Sequence, residues 1–356
     1  MVSIIVPTYN ERENLTPLLE RIESTLRFLE DYEVIVVDDD SPDRTWRKAR
    51  ELSEDYPLKV VRRKDERGLG TAVVCGLKES SHDVVVVMDA DLQHPPEKIP
   101  DLVSEIKEGV DIAIGSRFVE GGDKGEFGFF RRLMSRGADF LARTLFRRIR
   151  DIRDIQSGFF AFKKDIVGCT DLNPIGYKIL LEILIQADYD EVSEVGYKFG
   201  ERSSGKSKLG VESILDYLRH LWSLSKRTGE ISRFFKFCVA GAVGTVLNLV
   251  VTFMLTTSGL FYFFSGAIGI EIGLLSNFFV NKAWAFRDRK ISGHELVGRA
   301  LFRDHVVRSG GILLNLFVLW TLTSLLGFYY LISQMVGIGI ATLWNFGGNK
   351  WWTWEK

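Results

Sequence analysis

Asp89, Asp91 and Gln93 stand two residues apart in D-A-D-L-Q, directly after the apolar run Val84–Met88. Residues so spaced leave a strand on one side, so their oxygens could be aimed at one point. Two carboxylates and a carbamoyl oxygen suit a hard cation, Mg2+ or Mn2+. Taken alone, the motif is equally well read as a strand end whose aspartate caps a helix beginning near Pro95. Two other stretches repeat the pattern. P-T-Y-N-E at 7–11 sets Pro7, Thr8, Tyr9 and Glu11 after one apolar run, and V-V-D-D-D-S at 36–41 sets Asp38, Asp39 and Asp40 after another. A solvated turn would explain any one of them. Three such ends on one sheet edge indicate a polar ligand bound through a metal.

A second constellation is cationic. Eight arginines lie between Arg131 and Arg153, interleaved with Leu133, Met134, Phe140, Leu141, Leu145 and Phe146. Apolar residues at helical spacing beside a cationic face describe an amphipathic helix in a membrane interface. The segment 211–225 has the same period in Val211, Leu215, Leu218 and Trp222. A basic helix packed on the domain and solvated on its outer face is the alternative.

The elements that must position these residues alternate. Ser3–Val6, Val34–Val37, Leu58–Val61, Val84–Met88 and Asp111–Ile114 read as strands, with helical stretches near 13–29, 44–54, 71–79 and 97–108. That order predicts an α/β domain on a parallel sheet with right-handed crossovers, whose ligands sit at the carboxyl ends of the strands. At 356 residues the chain exceeds one typical domain. A net charge of −1 argues against a nucleic-acid binder, and three scattered cysteines form neither a metal-site spacing nor a disulfide framework.

Charge is distributed unevenly. Phe237–Ile270 and Ser309–Gly348 contain no Asp, Glu, Lys or Arg, and a bilayer core of about 30 Å takes about 20 helical residues. Four spans are predicted, near 237–257, 262–282, 309–327 and 331–350. S-N-F-F-V-N-K-A-W-A-F at 276–286 returns as W-N-F-G-G-N-K-W-W-T-W at 344–354, and V-L-N-L at 246–249 as L-L-N-L at 313–316, so the spans read as two repeated hairpins. Seven lysines and arginines between Lys282 and Arg308, against none in the turns near Gly259 and Gly327, place the N-terminal domain in the cytoplasm. Trp284, Trp351, Trp352 and Trp354 would line the interface, and Glu271 is an acid inside the second span. The expected division is a cytoplasmic domain at 1–230, interfacial helices included, and a membrane domain at 231–356.

I-V-P-T-Y-N-E, V-D-D-x-S-x-D-x-T, G-x-G-x-A and D-A-D-x-Q together resemble glycosyltransferase family 2, with its GT-A nucleotide-sugar fold. G-S-R-F at 115–118, S-R-G-A-D-F-L-A at 135–142, Q-S-G-F-F at 156–160 and E-R-x-x-G-x-S-K-L at 201–209 look like the dolichol-phosphate mannose synthases. The C-terminal part is similar to GtrA-like membrane domains. The resemblance implies a nucleotide-sugar pocket of Pro7, Thr8, Tyr9, Glu11, Asp39, Asp89, Ala90 and Asp91, with Asp39 on the base. It implies a cation at Asp89, Asp91 and Gln93 bridging two phosphates. A carboxylate can accept two donors from the edge of guanine but only one from uracil, which favours GDP-mannose; UDP-glucose is the alternative donor.

Arginine grips phosphate through paired, charge-assisted hydrogen bonds. Arg117, Arg131 and Arg202, with Ser135 and Lys208, are therefore expected to gather the phosphate of a dolichyl or other polyprenyl phosphate, most of the other arginines of the run facing lipid head groups. Asp91, Arg117 and Arg131 are the expected catalytic residues, Asp91 also steering the attacking phosphate oxygen in a single inverting displacement. A processive polysaccharide synthase would need more spans and a Q-x-x-R-W motif, neither of which is found. A flippase is poorly served by one intramembrane acid.

Overall fold

The computed structural model describes residues 1–27, 31–123, 129–168, 170–200, 211–289 and 293–354. The chain divides into two compact units, Met1–Leu224 and Ser225–Lys356. The first runs β1 (Val2–Thr8), α1 (Leu15–Leu26), β2 (Tyr32–Asp38), α2 (Thr45–Leu52), β3 (Leu58–Arg62), α3 (Leu69–Glu79), β4 (Val84–Val87), α4 (Ile99–Lys107), β5 (Ile112–Ser116), α5 (Phe129–Leu145), β6 (Phe160–Lys163), α6 (Ile179–Gln186), β7 (Val192–Gly196) and α7 (Val211–Arg227), which crosses the division.

The β-branched runs make the middle of the sheet because both of their faces are buried. On β4, Val85 and Val87 join Ile5, Ile35 and Val37 in one apolar layer. Val86 and Met88 face the opposite layer with Ile4, Val6 and Val36. Each fully buried side chain of this size contributes about 1.5–3 kcal/mol. Gly76 lets α3 lie close on the sheet, since a Cβ there would come within 2.6 Å of Ile5 Cγ2.

The strand order is β3-β2-β1-β4-β6-β5-β7, and the sheet is mixed. This corrects the expectation of a parallel sheet: β6 runs antiparallel to both β4 and β5. Four residues of F-A-F-K carry too short a pattern to be seen beforehand, and β7 was likewise missed. The reversal has a consequence. It brings the residues before β6 to the edge where β1, β2, β4 and β5 end. The basic run at 131–153 is corrected too, because its helix stops at Leu145. There Arg143 donates to the carbonyls of Ile149 (2.9 Å) and Arg150 (2.6 Å), and Arg148 to those of Ala187 (2.5 Å) and Tyr189 (2.6 Å). These two arginines tie segments of the domain to one another.

The second unit holds two helical hairpins, α8 (Glu230–Thr257) with α9 (Tyr262–Val280) and α10 (His294–Trp320) with α11 (Tyr330–Gly348). Three stretches, Glu230–Thr257, Tyr262–Ala285 and Glu295–Leu325, are long and apolar enough to cross a membrane. Tyr330–Gly348, with Gln334 and Asn345 in it, falls outside that group. The repeat is visible in the packing. A Cβ on Gly269 would collide with Asn248, and one on Gly337 with Asn315, the asparagines of V-L-N-L and L-L-N-L. Both N-K motifs open a π-helical turn, Asn281–Ala285 and Asn349–Thr353. Glu271 Oε1 lies 3.4 Å from His305 Nε2, linking one hairpin to the other.

Candidate active site

At the donor end, the ladder between β1 and β4 stops at Ile5 and Val87, so Pro7 removes no hydrogen bond on that side. Thr8 Oγ1 donates to Asp38 Oδ2 (2.9 Å), which also accepts from Ser41 Oγ (2.6 Å). Ser41 Oγ in turn accepts the Asn10 N–H (2.9 Å), tying the loop after β1 to the loop after β2. Glu11 N–H donates to Thr45 Oγ1 at the start of α2 (3.0 Å). Tyr9 lies beneath the Arg67 guanidinium, 4.7 Å from ring centre to Cζ.

Asp39 is buried and engaged. Its Oδ1 accepts from Nε (2.7 Å) and Nη2 of Arg63, and its Oδ2 accepts the Gly68 N–H (2.8 Å). Gly68 has φ 144°, a conformation only glycine adopts freely. With three of about four acceptor positions used, the carboxylate has room for one more donor. The expectation that two donors of guanine are read by Asp39 loses its footing, because one position serves uracil equally well.

The loop after β4 is tightly wound. Gln93 N–H donates to Asp91 Oδ1 (3.2 Å), and its side-chain Nε2 to the Gly200 carbonyl (3.2 Å), which leaves the carbamoyl oxygen as the acceptor. Ala90 is buried and Leu92 has φ 64°. Asn10, Asp40, Arg44 and Leu92 are the non-glycine residues with positive φ among the described residues, and all lie in loops at this edge. Such conformations cost about 1–3 kcal/mol each. They gather where a site is built.

His94 is buried behind the loop. Its Nδ1 accepts the Asp89 N–H (3.0 Å), which places any single ring proton on Nε2. Its ring stacks on Phe159, 5.4 Å between centres. Burial pushes its pKa down to about 4, against the pull of Asp91. The imidazole is therefore neutral at pH 7, and the 3.8 Å approach of Nδ1 to Asp89 Oδ2 is not an ion pair.

Among the described residues no group of three His, Cys, Asp or Glu could by itself hold a metal ion. Asp89, Asp91 and Gln93 are an all-oxygen set with only two carboxylates. A hard divalent ion is commonly held by one or two carboxylates plus the substrate's phosphates.

At the far end of the edge, Arg117 forks onto Asp154, Nε to Oδ2 at 2.9 Å and Nη2 to Oδ1 at 3.0 Å. Burial alone would lower its pKa, but the bonds from Asp154 outweigh burial and raise it. Its Nη1–Nη2 edge still points away from that partner. Lys178 stands among Arg117, Asp154, Asp139 and Asp89, and burial brings its pKa down to about 8, with Arg117 adding to the effect and the carboxylates opposing it. Gln156 Nε2 donates to Asp139 Oδ1. Of the other expected acceptor residues, Arg131 and Ser135 lie on α5 with their side chains outside the described ones, and Arg202 and Lys208 lie outside the described residues.

The structure thus brings Pro7, Thr8, Tyr9, Glu11, Asp39, Asp89, Ala90, Asp91, Gln93 and Arg117 to one edge. Sequence reasoning missed Arg63, His94, Asp154 and Lys178. Arg63 directly follows β3, so the strand-end argument could have found it. Asp154 and Lys178 sit in irregular segments that carry no such signal.

Residues 3–170 match glycosyl transferase family 2, and residues 236–354 match the GtrA/DPMS transmembrane domain. A dolichol-phosphate mannosyltransferase of Pyrococcus furiosus is 48% identical over 353 residues, 99% of either chain. One of Saccharomyces cerevisiae is 35% identical over 234 residues, 62% of this chain and 86% of that one. Among solved structures, glucosyl-3-phosphoglycerate synthase of Mycobacterium tuberculosis in complex with Mn2+, UDP-glucose and phosphoglyceric acid aligns with 21% identity and a TM-score of 0.47, over 64% of this chain and 80% of that one.

Proposed function

The chain belongs to the dolichol-phosphate mannosyltransferase family, and we propose on that premise that it moves mannose from GDP-mannose to dolichyl or another polyprenyl phosphate. The products are GDP and the β-linked mannosyl phosphate. The observation that carries this reading is the 48% identity running end to end with the Pyrococcus furiosus relative, both units included.

The acceptor requires no general base. A phosphate monoester has its second pKa near 6 and is mostly a dianion at pH 7. What the protein must supply is position and charge complementarity. Asp39, set by Arg63 and Gly68, offers its remaining acceptor position to the base, with Tyr9 and Arg67 alongside. Asp89, Asp91 and Gln93 would hold Mg2+ or Mn2+, which when bound neutralises charge on the departing diphosphate. Arg117 presents its second guanidinium edge to the acceptor phosphate, joined by Arg131 and Arg202 with Ser135 and Lys208. The phosphate oxygen attacks C1 of the sugar from the face opposite GDP, and the configuration inverts.

The surrounding protein is a multi-pass membrane protein of four spans with residues 1–230 on the cytoplasmic side, as the lysines and arginines between Lys282 and Arg308 support. The test is transfer by the full chain in detergent micelles, with GDP-mannose or UDP-glucose, a polyprenyl phosphate, and Mg2+, Mn2+ or chelator. Mannose transfer from GDP-mannose that stops with chelator is expected. Preference for UDP-glucose would make the enzyme a glucosyltransferase, and transfer from neither would refute both readings.

A further inference from the structure

Glu182 on α6 and His220 on α7 are both fully buried, and neither has a part in the chemistry above. Their bonds lead into it. His220 Nδ1 accepts the Ile175 N–H at 2.8 Å, so Nδ1 carries a lone pair and the ring proton belongs on Nε2. That nitrogen lies 3.3 Å from Glu182 Oε2. Glu182 Oε1 accepts the Asn173 N–H at 3.0 Å and Gln186 Nε2 at 2.7 Å. Two backbone amides of one irregular segment, Asn173 and Ile175, are thus fastened to two helices through a single buried pair.

The segment spans the active edge. Its Gly176 carbonyl accepts the Gly70 N–H at 3.1 Å. A Cβ on Gly70 would come within 2.8 Å of Pro174. This anchors the segment to the start of α3, two residues from the Gly68 that donates to Asp39. Its other end is Lys178, among Asp89, Asp139, Asp154 and Arg117. An irregular segment has no ladder of its own to fix it, so its place depends on bonds such as these.

We propose that His220 is a positioning residue for the transfer reaction: by accepting the Ile175 N–H, it fixes the segment Asn173–Lys178 and thereby seats the Lys178 ammonium between the donor and acceptor phosphates. The seat of Lys178 rests on the mannosyl-transfer reading; the clamp itself does not.

The test uses two substitutions in the full chain. In His220→Asn the carbamoyl oxygen can stand near Nδ1 and keep the Ile175 bond. In His220→Gln the amide reaches toward Glu182 and the Ile175 bond is lost. Hydrogen–deuterium exchange of residues 173–178 and turnover with GDP-mannose and a polyprenyl phosphate are measured on both. Expected for His220→Gln are faster exchange in the segment and a tenfold or greater fall in kcat, with His220→Asn near wild type in both. Equal losses in the two variants would overturn the proposal, as would loosened exchange with unchanged kcat, or a fall in kcat without loosened exchange. If the wild type transfers no mannose, the functional reading fails, while the exchange arm still reports on the clamp.

Discussion

Arg117 presents one edge of its guanidinium to Asp154, with Nε–Oδ2 at 2.9 Å and Nη2–Oδ1 at 3.0 Å, and Asp154 is 1% exposed at its side chain. The aspartate therefore aims the arginine. Asp154→Asn keeps the shape but removes the charge and one acceptor. Loss of a charge-assisted contact of about 1.5–3 kcal/mol corresponds to about ten- to hundredfold in rate. The expected outcome is a loss of that size in kcat/KM for the polyprenyl phosphate, with GDP affinity little changed. Arg117→Lys should do no better, since an ammonium cannot fork. Steady-state kinetics beside a GDP titration read both quantities, and full activity in Arg117→Lys would remove Arg117 from the acceptor site.

Asp89→Ala and Asp91→Ala are each expected to abolish transfer while the fold persists, because each removes one of only two carboxylates in the proposed cation site. Thermal unfolding should change little for Asp89, whose side chain is 33% exposed, and somewhat more for the buried Asp91. Retention of more than about a tenth of turnover, about 1.4 kcal/mol of barrier, by either variant would contradict the assignment.

The parts legible in the sequence were those that repeat a period. β1 to β5 and the strand-end acids follow from apolar runs that stop at polar residues, and the two hairpins follow from charge-free stretches and a repeated N-K motif. The illegible parts depend on contacts distant in the chain. The four residues of β6 reverse the sheet locally and carry Asp154, Gln156 and Ser157 to the edge. No local pattern pairs Arg117 with Asp154, 37 positions away. Nor does any pattern tell that Asp39 spends three acceptor positions inside the protein, which is why the base-reading argument from the sequence went too far.

His94 makes stability pH-dependent with a definite sign. Its pKa is about 4 in the fold against the ordinary imidazole value of 6.5. Below pH 6.5 the unfolded chain therefore takes up a proton that the folded one refuses until about pH 4. The contribution is fully present above pH 6.5 and is lost as pH falls from 6.5 to 4, to a maximum of about 3 kcal/mol. Thermal midpoints of the full chain in detergent should fall across this window. In His94→Gln, which has no titrating ring, the fall should be shallower. An equal slope in the two proteins would mean that other groups set the acid limit.

The last expectation concerns the residue behind Asp39. Arg63 directs every N–H inward: Nε and Nη2 to Asp39, Nη2 also to the Gly68 carbonyl (3.0 Å), and Nη1 to Thr71 Oγ1 (3.0 Å) and Glu66 Oε2 (3.3 Å). It has nothing left to offer a nucleotide, so any effect it has on donor binding must pass through Asp39. Arg63→Met leaves a buried carboxylate unpaired, which costs about 3–5 kcal/mol in comparable buried pairs. Both the thermal midpoint and GDP affinity should drop. Adding Asp39→Leu replaces the whole pair by apolar groups, a change that is often neutral for stability. The double variant should regain its midpoint yet still bind GDP poorly, because the acceptor for the base is gone. Calorimetric GDP titrations of the two variants beside their unfolding curves separate the cases. Recovery of GDP affinity together with stability would show that Asp39 only supports the fold and that the base is read elsewhere.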